Sequence, residues 1–106
     1  PSKLQEVNVA ISSATTTAIV AAPGLDPSYA IKVWRMIISC ATAQDITIKD
    51  GTTTLQVFQS FTGTLVLDFS RYPWFTCSTN TALNVTTSST PATSIRCYYT
   101  NTPVSV

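Results

Sequence analysis

The chain has no histidine and little charge. Its 106 residues include one methionine and three glycines, and only 10% are charged. Without histidine there is no Ser-His-Asp triad, no Cys-His pair, no histidine-ligated metal and no general base of the histidine type. The net charge is +1, so a basic surface for nucleic acid or an anionic membrane is absent. We therefore expect a protein that is not an enzyme, with no metal, cofactor, nucleic acid, membrane or small-molecule substrate.

Acidic residues are also too scattered to form a catalytic pair. No local motif places two of them as acid and base, and we interpret them as turn and surface residues. They are Glu6, Asp26, Asp45, Asp50 and Asp68. Long apolar runs and a basic-then-apolar leader are missing too. The start at Pro1 and Ser2 is what removal of an initiator Met leaves, so we expect a soluble, cytoplasmically made product.

Cysteines are few, odd in number and far apart. Cys40, Cys77 and Cys97 contain no C-x-x-C pair, which is the spacing typical of zinc and redox sites. Free cysteine is among the most buried residue types. The favoured interpretation is three reduced thiols in the core, and the alternative is one disulfide with a spare thiol.

Threonine and serine dominate what is present. The chain has 19 Thr and 12 Ser, and 44% of its residues are hydrophobic. Thr, Val, Ile and aromatic residues suit a pleated, half-buried surface, whereas strong helix formers are scarce. This composition favours an all-β domain. Exposed strands with so few charges lack the usual guard against edge-to-edge pairing, so we expect a partner to cover them.

Apolar and polar residues alternate in short segments separated by turn signals. Alternation with a period of two predicts half-buried strands. The predicted strands are 7–11, 18–22, 29–40, 45–49, 54–59, 65–69, 76–78, 82–87 and 94–100. Asp50-Gly51 predicts a type I′ hairpin, a second turn is predicted at 61–64, and the rings around Pro73 are expected to fold back onto the core.

The segment 29–40 has apolar residues on both of its faces. It is either a central strand covered on both sides, or a strand that passes from one environment to another at Arg35. Trp34 is expected in the core. We expect residues 1–106 to form one domain, an antiparallel sandwich of about eight strands resembling a jelly roll. A polar arm is predicted at 1–6 and a polar tail at 101–106.

The order of these motifs resembles a known family. The segments that carry the likeness are 30–39, 45–51, 65–69, Pro73-Trp74-Phe75 and 80–85. Together they resemble the small all-β head decoration, or capsid cement, proteins of tailed bacteriophages. The resemblance implies a homotrimer made in the bacterial host cytoplasm and bound to the capsid exterior of the virion. There it would bridge subunits of the major capsid protein. Related domains occur in tails and fibres, so head and tail locations both stay open.

Two groups of residues are candidates for contact with the capsid, with a ligand or with other copies of the chain. The unpatterned arm is expected to touch the capsid, through Ser2, Lys3, Leu4 and Glu6. Aromatic residues outside the expected core are candidates for an oligomer or ligand surface, and they are Tyr72, Trp74 and Tyr98. If these rings were exposed as a platform, the protein would instead be a carbohydrate- or receptor-binding domain of a tail fibre or adhesin.

Overall fold

The computed structural model describes residues 4–24, 29–69 and 71–103, and these form strands and loops. The strands are β1 (Gln5–Ile11), β2 (Thr16–Val20), β3 (Tyr29–Asp50), β4 (Thr53–Asp68), β5 (Phe75–Thr76), β6 (Leu83–Thr87) and β7 (Thr93–Pro103). All the strand pairings in this part of the chain are antiparallel. The all-β prediction is confirmed, with seven strands in the described residues rather than about eight. No helix in those residues is long and apolar enough to cross a membrane.

The sheet is curled because its central strand, β3, pairs with different neighbours along its length. The sheet order is β1-β7-β3-β6-β2, and β4 and β5 also pair with β3. Residues 29–40 of β3 pair with β7, and residues 46–50 pair with β6. The register shifts between these two halves. The first half of β3 therefore belongs to one half of the curled sheet, and the second half of β3 belongs to the other.

Two predicted interruptions are bends within continuous strands. The strands expected at 29–40 and 45–49 are both part of β3, and those expected at 54–59 and 65–69 are both part of β4. In β4 the bend uses positive φ at Ser60 (51°) and Gly63 (93°), so the turn predicted at 61–64 is wrong. The register shift opposite Gln44 has the form of a β-bulge, which bends a strand without ending it.

An extra residue at Trp34 explains the two apolar faces of β3. Tyr99 pairs with Val33 and Tyr98 pairs with Arg35, so Trp34 is left without a partner in the β7 register. The bulge moves the buried side chains from the odd-numbered Val33 to the even-numbered Met36. The predicted change of environment at Arg35 is confirmed. Trp34 is half-buried rather than in the core, and its Nε1 donates to Thr100 Oγ1 at 3.1 Å.

The Asp50-Gly51 hairpin forms where it was predicted. Asp50 pairs with Thr53, so the loop residues are Gly51 and Thr52. Only Gly51 of these two has positive φ, at 61°, which is the pattern of a type II′ turn and not of the predicted type I′.

Both ends of the domain are more ordered than predicted. Gln5 and Glu6 pair with Tyr99 and Tyr98 in β7, so the arm does not extend to residue 6. β7 continues to Pro103 beside the start of β3, so residues 101–103 of the expected polar tail belong to a strand. Backbone pairing overrides the polar side-chain pattern in both places.

Both halves of the curled sheet contribute to one apolar core. Ile38 of the first half of β3 and Ile48 of the second half are fully buried in the same cluster, with Val85 of β6 and Ile95 of β7. Burying such side chains stabilises the fold by about 1.5–3 kcal/mol each. Cys40, Cys77 and Cys97 are buried and free, as the favoured interpretation expected.

Candidate interaction site

One face of the sheet carries side chains from four adjacent strands and points away from the core. Directly paired residues in antiparallel strands lie on the same side. The pairings give three rows of four, which we call the outer face. The rows are Glu6-Tyr98-Arg35-Asp68, Asn8-Arg96-Ile37-Val66 and Ala10-Ser94-Ser39-Thr64. The bulge at Trp34 brings Arg35 to this face.

The outer face carries four charged residues, two of each sign. Arg96 Nε lies 3.7 Å from Glu6 Oε1, and both side chains are nearly half exposed, so this ion pair contributes little stability. The Arg35 guanidinium lies 5.5 Å from the centre of the Tyr98 ring. Arg35 Nε is buried and has no hydrogen-bond partner among the described residues. A guanidinium held over a ring presents a planar fork that suits a carboxylate.

The outer face has two depressions where its side chains are small. A depression of about 360 Å³ is lined by residues of four strands, including Ala10, Ser39 and Ser94. A second depression of about 260 Å³ shares Ser39 and Ser94 and includes Arg96. The two depressions therefore adjoin. They give the face relief into which side chains of a partner could fit.

The two described residues of the group proposed for capsid contact fall on or beside this face. Glu6 is part of its first row, opposite Tyr98. Leu4 precedes β1 and is 55% exposed. Ser2 and Lys3 lie outside the described residues. The structure thus brings together Glu6 and Tyr98, which came from two separate predicted groups.

Trp74 lies in an aromatic cluster at the side of the core. Its ring stacks on Phe69 at 5.9 Å and contacts Phe75 at 5.0 Å between ring centres. Phe58 extends the cluster. Trp74 and Phe75 pack against the core, as predicted for the rings around Pro73. Tyr72 is separate from them and is 77% exposed.

A buried polar cluster at the bend of β3 was not predicted. Gln44 Nε2 donates to Thr93 Oγ1 at 2.6 Å and to Cys40 Sγ at 3.3 Å, and Gln44 Oε1 accepts from Ser89 N at 3.0 Å. Burial opposes ionisation of the Cys40 thiol, but hydrogen bonds from Thr93 and Gln44 outweigh it and lower its pKa. The only signal in the sequence is a lone Gln between two apolar strands, which also suits a loop.

The other thiols have the opposite character. Burial, reinforced by the Asp50 carboxylate, raises the pKa of Cys77 to about 12. Burial alone raises the pKa of Cys97 to about 12. Asp50 is a structural residue here, since it accepts hydrogen bonds from Ser78 N and Ser78 Oγ at 2.8–3.0 Å. Within the described ranges, no group of three His, Cys, Asp or Glu could hold a metal ion.

Comparison with known proteins adds no family. A scan against protein-family models finds no match, and a search of curated proteins finds no similar sequence. The outer face is the feature of this chain that is best suited to contact another protein.

Proposed function

We propose that the protein is a non-enzymatic structural subunit of a virion, a capsid decoration or cement protein that stabilises the assembled head. The single observation that carries this proposal is the outer face. It spans four strands, its four charges are two of each sign, and small residues line two adjoining depressions, while the Arg35 guanidinium in its first row is held over the Tyr98 ring. These features suit a contact with a second protein surface.

Attachment to a repetitive shell needs only weak individual contacts. A contact of about 4 kcal/mol corresponds to millimolar affinity. Linking several such contacts raises the overall affinity without new interactions. The resemblance to cement proteins implies a homotrimer that bridges subunits of the major capsid protein on the capsid exterior.

The finer architecture belongs to the same proposal. The two halves of the curled sheet bury their inner side chains in one core, with Ile38 on one half and Ile48 on the other. This arrangement supports a β-sandwich related to the jelly roll, in which two sheet layers pack face to face.

The rival function is recognition of a sugar or receptor by a fibre domain. It depends on exposed aromatic rings. Trp74 is half-buried and stacked, and Tyr98 is half-buried beneath Arg35. Tyr72 alone among the three candidates is fully exposed. The geometry therefore favours the structural role.

Sedimentation with capsids separates the two functions. The purified protein is mixed with capsids from its source that have been stripped of it, and the pellet is assayed for bound protein. A cement protein saturates at a fixed number of copies per capsid. Failure to pellet, together with quenching of tryptophan fluorescence by glycans, would replace the structural role with the adhesion role.

A further inference from the structure

The free edge of β4 leaves an apolar segment incompletely covered. Leu65 and Leu67 pair with Ile38 and Met36, which are fully buried, yet both leucines are only half-buried. Val66 between them points to the outer face and is 50% exposed. Three consecutive aliphatic side chains at one sheet edge therefore retain contact with water.

This edge is also regular and almost uncharged. Residues 63–68 pair with β3 without a register shift, whereas the earlier part of β4 contains shifts and the positive φ of Ser60. In the described residues β4 pairs only with β3. Asp68 is the single charge between residues 61 and 68. Proline, lysine and bulges, which usually protect an edge from pairing, are absent from 63–68.

We propose that two copies of the chain pair antiparallel through residues 64–68 of β4, about a two-fold axis at Val66. This register places Val66 opposite Val66 of the second copy and Leu65 opposite its Leu67. Asp68 then lies opposite Thr64, so the pairing opposes no like charges. The apolar segment is its own complement, which is why the occupant is a second copy of this chain.

The pairing joins the sheets of two subunits into one. Each copy contributes β1, β7, the first half of β3 and the second half of β4. The backbone groups at the free edge gain partners, and the aliphatic side chains cover one another. This contact does not depend on the proposed function. It also departs from the resemblance, because a two-fold contact gives a dimer and not a homotrimer.

Light scattering of the purified chain and two variants tests the pairing. The expected mass is about twice 11.4 kDa for the wild type and 11.4 kDa for Val66→Lys, because two ammonium groups would face each other across the axis. Val57→Lys is the matched control, since Val57 is also exposed on β4 but lies outside residues 63–68. It is expected to keep the wild-type mass.

Disulfide cross-linking is a second measurement of the pairing, and it does not require that a variant break the dimer. Directly paired residues have Cα atoms about 4.5–5.5 Å apart, within the range that a disulfide spans. Val66→Cys is expected to form a covalent dimer on mild oxidation, and Val57→Cys is not. A wild-type monomer or trimer, or an oligomer that Val66→Lys leaves unchanged, would overturn the pairing. Sedimentation with capsids would still test the proposed function separately.

Discussion

At the scale of single residues, burial of a cysteine thiol makes the stability of the domain depend on pH. Burial raises the pKa of Cys97 to about 12 from an ordinary value of 9.0. Below pH 9 the thiol is protonated in both the folded and unfolded chain. Between pH 9 and about pH 12 it ionises only in the unfolded chain, so the free energy of unfolding falls as pH rises.

Denaturation by urea at several alkaline pH values measures this loss. Cys97→Ala is expected to flatten the fall of the free energy of unfolding with pH, because it removes one of the titrating thiols. Cys40→Ala is the control, since hydrogen bonds lower the pKa of Cys40 and its removal does not remove a raised thiol. The same slope in Cys97→Ala and the wild type would contradict this account.

Gly51 is the residue on which the first hairpin depends. Its φ is +61°, and an added Cβ would lie 2.8 Å from Thr81 Cγ2. We expect Gly51→Ala to lower the free energy of unfolding by about 1–3 kcal/mol, measured by thermal or chemical denaturation. Adding Thr81→Ser removes the methyl group and should restore part of that loss. If the double variant is no more stable than the single one, the contact with Thr81 is not the cause.

At the scale of elements, the bend of β3 depends on the buried Gln44. Its amide contacts Thr93 and Cys40 as donor and Ser89 as acceptor. Gln44→Ala removes the acceptor of Ser89 N and one hydrogen bond each from Thr93 and Cys40, so we expect a loss of about 1–3 kcal/mol in the free energy of unfolding. Gln59→Ala, on an exposed position of β4, is expected to change stability by less than about 0.5 kcal/mol. Equal effects of the two substitutions in chemical denaturation would exclude a structural role for the Gln44 amide.

The elements also show how far the sequence could predict this fold. Alternation located the strands, and Asp50-Gly51 located a hairpin, because both are local properties. The bends at Gln44 and Ser60 depend on bulges whose residues carry no distinctive local signal, so two long strands appeared as four short ones. The outer face could not be assembled in advance, since the rows that unite Glu6, Tyr98 and Arg35 depend on strand order.

At the scale of the whole molecule, the curl divides the surface into parts with different roles. The inner side holds the core, and the outer face is the surface that we propose for contact with a shell. The edge at residues 63–68, with its exposed aliphatic side chains, is the surface that we propose for contact with a second copy. These two surfaces share Thr64, Val66 and Asp68, so self-association and capsid attachment are expected to influence each other.

The central claim is that the outer face attaches the protein to a capsid, and its most direct test is the occupancy of stripped capsids by two charge variants. Arg35→Gln removes the guanidinium held over Tyr98 on the outer face, and Arg71→Gln removes an exposed one outside the face. Losing a hydrogen bond to a charged group costs about 1.5–3 kcal/mol, so we predict roughly 10- to 100-fold weaker attachment for Arg35→Gln. Arg71→Gln should bind as the wild type does. Equal occupancy by both variants would contradict the account.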